Sequence, residues 1–228
     1  MSFATENIPQ ISSKEVLSRV LAAPVIPVFY HADVEHAQRI LSACYQGGIR
    51  VFEFTNRGDN AFEVFTKLRS FVRENCPDML LGIGTIYNAK DAEAFILAGA
   101  DFVVQPITTA DVAAICRHYD IAWVPGVMTL NEIFHATRLG AAMVKIFPAG
   151  VLGPDYIKAV HGPMPKVKVM VTGGVEPTIE SLGAWFGAGV SAVGMGSKLI
   201  SKNLVQGKAY SLLQQTTEKV LQTIRENR

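Results

Sequence analysis

Ala141-Ala-Met-Val-Lys145-Ile-Phe-Pro148 is a short apolar run that ends at a proline. Its length and β-branched content are those of a buried strand. Strand side chains alternate between faces, so Met143, Lys145 and Phe147 share one face while Val144 and Ile146 take the other. A lysine on a buried face has lost water and has no sequence neighbour to pair with. Burial disfavours the ammonium form, and a free amine in an apolar pocket is a nucleophile for ketones. The competing reading of the same residue is a strand-end lysine that snorkels to solvent.

The pattern around this run repeats along the chain. Strands are expected at Pro24–Tyr30, Ile49–Thr55, Met79–Gly84, Asp101–Gln105, Ile121–Val124, Ala142–Phe147, Val167–Val171 and Val190–Gly194. A helical pattern follows each one. The first runs from an N-cap at Asp33 to Gly47-Gly48, with His36 where a capping box would prefer Glu. The next covers about Asn60 to Glu74. Asn88 caps Ala89 to Ala98 and Gly99 stops it. Others cover Thr109 to His118, Leu130 to Leu139 with Gly140 at the C-cap, Pro154 to His161 and Ile179 to Phe186. A last helix is expected from about Gln206 to the C-terminus, and an extra one over Ser12 to Leu21 precedes the first strand. Eight strand–helix units in 228 residues argue for a parallel (β/α)8 barrel (TIM barrel) with an extra N-terminal helix, in one domain spanning 1–228. The rival, an open doubly wound sheet, has a Gly-rich turn after its first strand. Tyr30-His-Ala-Asp33 has none, and the glycines gather after strands three, seven and eight.

Composition narrows the function classes. A net charge of +1 with no basic run gives no electrostatic case for nucleic acid or an anionic membrane. Cys44, Cys76 and Cys116 are odd in number, far apart and without metal spacing, which points to a reducing, cytoplasmic setting. Met1-Ser-Phe-Ala-Thr-Glu-Asn7 lacks the basic and apolar regions of a leader, and no apolar stretch is long enough to span a membrane. The five histidines fall near helix starts, surfaces or ends and make no metal site. Met128, Met143, Met164 and Met170 read as core fillers.

In such a barrel the active site lies at the C-terminal ends of the strands, which is where the unusual residues fall. Glu53 alternates with Phe52 and Phe54; the phenylalanines suit the helix side, so Glu53 points inward. A buried carboxylate serves as general acid and base. Its plainer reading is an ion pair with Arg57. Arg57 is placed to bind a carboxylate bidentately, or to sit solvated at the surface. Thr85 and Thr172 end strands three and seven and would otherwise be turn or helix caps. Gly173-Gly174 and Gly194-Met-Gly196-Ser197 follow strands seven and eight, where barrels hold phosphate with backbone N–H groups.

Six segments in order resemble one family: Val51-Phe-Glu53-Phe-Thr55-Asn-Arg57, Gly82-Ile-Gly-Thr85, Val124-Pro-Gly-Val-Met-Thr129, Val144-Lys145-Ile-Phe-Pro148, Thr172-Gly-Gly-Val175 and Ala192-Val-Gly-Met-Gly-Ser197. The chain, over about residues 14 to 201, is similar to the 2-keto-3-deoxy-6-phosphogluconate/4-hydroxy-2-oxoglutarate aldolases, class I enzymes of the Entner–Doudoroff and related pathways. The resemblance implies that Lys145 forms a Schiff base with the keto carbon and Glu53 shuttles protons, partly through a water. Arg57 and Thr85 would hold the pyruvyl carboxylate, with Thr172 near the imine carbon, Phe147 beside it, and Pro106 also lining the substrate. Gly173, Gly174, Gly196 and Ser197 would hold the phosphate. It implies a homotrimer that needs no metal and no cofactor.

Four positions depart from the family's common pattern: Gly150 in Phe147-Pro-Ala-Gly150, Val171 before Thr172, Gln105 before Pro106, and Asn56. They touch the mouth of the barrel rather than the lysine, so they bear on the aldehyde. Three alternatives stand beside the phosphogluconate reading. One is cleavage of 4-hydroxy-2-oxoglutarate or another 2-keto-3-deoxy acid; the others are a phosphosugar-binding barrel without catalysis and a phosphate-binding barrel of another reaction.

Overall fold

The structure is a computed structural model that describes residues 11–227. The leader reading at Met1–Asn7 and the terminal Arg228 lie outside the described residues. Among the described residues, nine strands are all paired in parallel: β1 (Val25–Phe29), β2 (Val51–Thr55), β3 (Leu80–Gly84), β4 (Phe102–Val104), β5 (Ala122–Val124), β6 (Gly126–Val127), β7 (Val144–Ile146), β8 (Val169–Thr172) and β9 (Ala192–Met195). Their order is β5-β4-β3-β2-β1-β9-β8-β7-β6. The two ends of that order are adjoining pieces of one segment, so the ring closes as a (β/α)8 barrel.

The break between β5 and β6 is Pro125, which has no N–H to give a ladder. Below it, Val124 accepts from the Gln105 amide at 3.1 Å; at the break, the Pro125 carbonyl accepts from the Lys145 amide at 2.7 Å. The fifth strand expected from sequence ends at Val124, as β5 does; beyond the proline the chain pairs again, with β7, as the short β6.

Alternation sorts the side chains into two clusters. Outward residues such as Phe52, Phe54, Leu81, Ile83, Val103, Val144, Ile146 and Val171 pack under the helices. Inward residues Ile26, Val51, Leu80, Phe102, Val104, Val124, Met143, Met170 and Ala192 fill the lower barrel. The helix before the first strand, α1 (Ser13–Ala22), adds Val16 and Val20 to this inner cluster and so plugs the N-terminal end. Burying such a side chain contributes roughly 1.5–3 kcal/mol. Met143 and Met170 are core fillers as expected, buried to 2% and 0% exposure.

The helices start where their caps sit. Asp33 accepts from the His36 amide ahead of α2 (Val34–Gln46). The side chain of His36 does not close a box; its ring bonds the Val205 carbonyl and stacks on His31. After α3 (Ala61–Asn75), Asn88 caps α4 (Ala89–Leu97) through the Asp91 amide. α5 (Ala110–His118) follows β4, and a full capping box at Thr129 and Glu132 opens α6 (Leu130–Arg138). β7 is shorter than expected and is followed by a single turn, α7 (Ala149–Leu152), before α8 (Pro154–His161). α9 (Ile179–Gly187) follows β8. The last helix does not run unbroken from Gln206: α10 (Lys202–Gln206) ends at Gly207, Lys208 takes a positive φ of 51°, and α11 (Tyr210–Asn227) begins afresh. Glycine is a poor helix residue, and that break is its consequence.

Among the described residues, no helix is long and apolar enough to cross a membrane, and no group of His, Cys, Asp or Glu is placed to hold a metal ion.

Candidate active site

Three inward residues sit one pleat above the apolar barrel floor. Glu53 is two residues on from Val51, Lys145 two on from Met143, and Thr172 two on from Met170. All are buried, at 1%, 6% and 7% exposure. Closure of the barrel brings two of them together across 92 residues of chain: Lys145 Nζ donates to Glu53 Oε1 at 3.4 Å. The amine therefore does not snorkel to solvent, and the carboxylate's ion partner is Lys145 rather than Arg57. Phe147, the next inward position on the lysine's strand, lies with its ring centroid 5.5 Å from Nζ.

Glycines make the room. An ideal Cβ on Gly84 would lie 1.9 Å from Glu53 Oε1, and one on Gly194 would lie 2.3 Å from Thr172 Oγ1. Both positions therefore exclude any side chain so that a polar group can occupy the interior. Glu53 Oε2 and Thr172 Oγ1 are buried without a hydrogen-bond partner. Buried polar atoms are almost always paired, so these two have hydrogen-bonding capacity to offer a polar substrate group. Thr172 is thereby not a cap, which leaves its hydroxyl available.

The remaining expected residues ring the mouth. Thr85 follows β3 half-buried, with φ at +63°. Arg57 is exposed in the loop after β2, its amide donating to the Thr55 carbonyl at 2.9 Å. Pro106 and Phe147 share the wall of a recess of about 460 Å³ with Gly126, Val127, Met128 and Glu132. β8 and β9 pair Thr172 with Gly194, which sets Gly173-Gly174 beside Gly196-Ser197. Gly173 and Gly174 take φ of 85° and 82°, and Gly174 presses so close to Gly150 that a Cβ would meet the Gly150 Cα at 2.5 Å. An ion pair from Lys198 to Glu176, 2.5 Å, spans these two loops. A second cavity, about 290 Å³ and walled in part by Val16, Ile26, Met143 and Met170, lies at the opposite end of the barrel and contains neither Lys145 nor Glu53.

Sequence reasoning noticed Gln105 only as a departure from a motif. It is fully buried and makes three side-chain hydrogen bonds, to Trp123, Ile86 and Thr109. An outward glutamine at a strand end carries no periodic signal; the one available hint was a long polar residue closing an apolar run.

A buried amine beside a buried carboxylate, with an aromatic ring along one side and two unsatisfied polar atoms, is suited to making an imine and moving protons around it. Comparison with known proteins agrees. A family model described as KDPG and KHG aldolase matches residues 16–216. A 2-dehydro-3-deoxy-phosphogluconate aldolase of Pseudoalteromonas atlantica is 36% identical over 170 residues, 74% of this chain and 76% of that protein. The KHG/KDPG aldolase of Escherichia coli strain K12 is 30% identical over 161 residues, 70% of this chain and 74% of that one. Among solved structures, the KDPG aldolase of Legionella pneumophila, with pyruvate captured as a covalent carbinolamine, superposes with a TM-score of 0.79 at 29% identity. The match covers 90% of this chain and 97% of that one.

Proposed function

The chain belongs to the KDPG and KHG aldolase family, and from that premise we propose that it cleaves 2-keto-3-deoxy-6-phosphogluconate to pyruvate and glyceraldehyde 3-phosphate on Lys145. The observation that carries the assignment is the buried contact of Lys145 Nζ with Glu53 Oε1 at 3.4 Å.

In this reading the Lys145 amine adds to the C2 keto carbon, and the carbinolamine loses water to an iminium. Glu53, directly or through a water, takes the proton of the C4 hydroxyl. The C3–C4 bonding pair flows into the iminium, so the aldehyde leaves and an enamine remains. The enamine takes a proton at C3, and water returns the imine to pyruvate and free Lys145. Arg57 and Thr85 hold the pyruvyl carboxylate, Phe147 and Pro106 line its other side, and Thr172 lies by the imine carbon. Support for the last role is its buried, unpartnered hydroxyl. The backbone N–H groups of Gly173, Gly174, Gly196 and Ser197 hold the phosphate, supported by the adjacency of these loops through the Thr172–Gly194 pairing. The reading treats 1–228 as one barrel domain, with no cofactor or metal. It assembles as a homotrimer, tested by light scattering for the mass of a trimer. A cytoplasmic setting is supported by three free, buried cysteines.

Borohydride added with pyruvate, followed by peptide mapping, tests the core of this assignment. A reduced pyruvyl adduct on Lys145 is expected, and its absence from the folded protein would overturn the imine mechanism. A second reading, cleavage of 4-hydroxy-2-oxoglutarate, is favoured by the E. coli relative named for both substrates. Turnover of the two substrates side by side separates the readings. Family membership sets aside a barrel that binds phosphosugars without catalysis.

A further inference from the structure

We infer that Gln105, on the outer face of the barrel, is a positioning residue that holds Thr85 in its strained conformation at the mouth. The inference rests on the reading of Thr85 as a group that binds the pyruvyl carboxylate. Thr85 is β-branched, and a φ of +63° is a genuine outlier for such a residue. Strain of this kind persists only where the surroundings over-determine it. The next carbonyl, that of Ile86, accepts from Gln105 Nε2 at 3.3 Å, and Ile86 itself is fully buried.

The amide is not free to turn around. The Trp123 indole, which can only donate, reaches Gln105 Oε1 at 2.8 Å. That contact fixes the oxygen toward β5 and leaves Nε2 to face Ile86 and the Thr109 hydroxyl, 3.1 Å away. Thr109 stands at the N-cap of α5 but makes no side-chain cap; its hydroxyl accepts from Gln105 instead. Two residues on, Asp111 accepts from the Ala89 amide at 3.1 Å. The segment from Thr85 to Ala89 is thus fastened at two points, at Ile86 by the buried Gln105 and at Ala89 by Asp111. A shorter polar residue at position 105 would not span from Trp123 to Ile86.

The experiment measures the pyruvate concentration that half-saturates borohydride trapping, together with turnover at saturation. Gln105→Met keeps the volume and removes all three bonds. It is expected to raise half-saturating pyruvate about three- to tenfold, the ordinary worth of a lost hydrogen bond, with saturated turnover within about twofold. Trp123→Phe keeps a ring and removes only the N–H that orients the amide, so it reads the same link should the first variant fail to fold. Val72→Ala, a core truncation at the far end of α3, controls for general loosening. An unchanged half-saturation in both Gln105→Met and Trp123→Phe overturns the inference, as does an equal rise in Val72→Ala. Thr85→Val separates the two levels. If it leaves half-saturation unchanged, the reading of Thr85 fails; if it raises it while neither Gln105→Met nor Trp123→Phe does, the inference alone fails.

Discussion

Replacing Gly84 by alanine should move the acid–base carboxylate and nothing else that reacts. Gly84 lies in β3 and is not among the positive-φ glycines, so alanine suits its backbone. The new Cβ would sit 1.9 Å from Glu53 Oε1, 2.7 Å from Cδ and 2.9 Å from Cγ. The carboxylate must retreat by about 1 Å, and a misplacement of that size costs on the order of 10²-fold in rate. Glu53→Gln, which removes the base without moving the chain, sets the ceiling at about 10²–10⁴-fold. The three atoms nearest the new Cβ all belong to Glu53 and none to Lys145, so the pyruvyl adduct should still be trapped by borohydride. Two stability effects oppose each other. Alanine at a compatible position gains about 0.4–1 kcal/mol through the unfolded chain. A displaced, unsatisfied carboxylate costs about 1–3 kcal/mol. The net expectation is a loss of up to about 2.6 kcal/mol, which for a chain of this length is a fall in Tm of up to roughly 10 °C. Stopped-flow or coupled assay of turnover, trapping with pyruvate and a thermal melt read the three quantities separately. Turnover within threefold of the parent, while Glu53→Gln is badly impaired, would refute the claim that the carboxylate works from where it sits. The double variant should be no worse than Glu53→Gln alone, because both changes remove the same function.

Three further perturbations address the mouth and the scaffold. Lys198, paired with Glu176 across the two proposed phosphate loops, should add charge attraction for a phosphorylated substrate. Lys198→Met is expected to raise KM for that substrate about two- to fivefold, the worth of an exposed charge pair, and to leave a non-phosphorylated 2-keto acid unaffected. Equal effects on both substrates would show that it acts on the fold. At the head of α6, the amides of Met128 and Thr129 hold the Glu132 carboxyl below the ordinary glutamate range. A carboxyl depressed in the folded state contributes stability above its unfolded value of about 4.3, and that stability is lost as pH falls through the lower folded value. Melts of Glu132→Gln and the parent should therefore differ near neutral pH and converge on acidification, and a constant gap would contradict the cap's ionic character. Thr129→Ala, which removes the other half of the box, should cost about 1 kcal/mol at neutral pH.

How much was legible in the sequence follows from which forces are local. Strands showed because β-branched runs sit between caps and glycines, and Asp33, Asn88 and Thr129 cap where the sequence puts them. The inward direction of Glu53 and Lys145 showed because a strand has a period of two. Their meeting at 3.4 Å did not, since it depends on how a closed ring sets β2 against β7. Pro125 reads in sequence as the end of a strand, and only the ring reveals that one segment serves two neighbours around it. The break at Gly207 had a visible signal in the glycine itself, a poor helix residue one position past the expected start.

Gln105 stayed hidden for a related reason, and it shows how the barrel divides its labour. Alternation that sends Glu53, Lys145 and Thr172 inward sends Val103 and Gln105 outward. Reacting groups must face the interior, where a substrate can reach them, yet the interior offers them few fixed partners: Oε2 of Glu53 and Oγ1 of Thr172 have none. Rigidity has to come from the other face, where helix caps, indoles and amides can be paired in full without competing for substrate. Gln105 fastened to Trp123, Thr109 and Ile86 is that kind of support, and Gly84 beneath the Glu53 carboxylate is its inner counterpart. It follows that tuning the substrate preference of such a barrel need not touch any residue that contacts substrate, because the outer face sets the angle at which mouth residues such as Thr85 are presented.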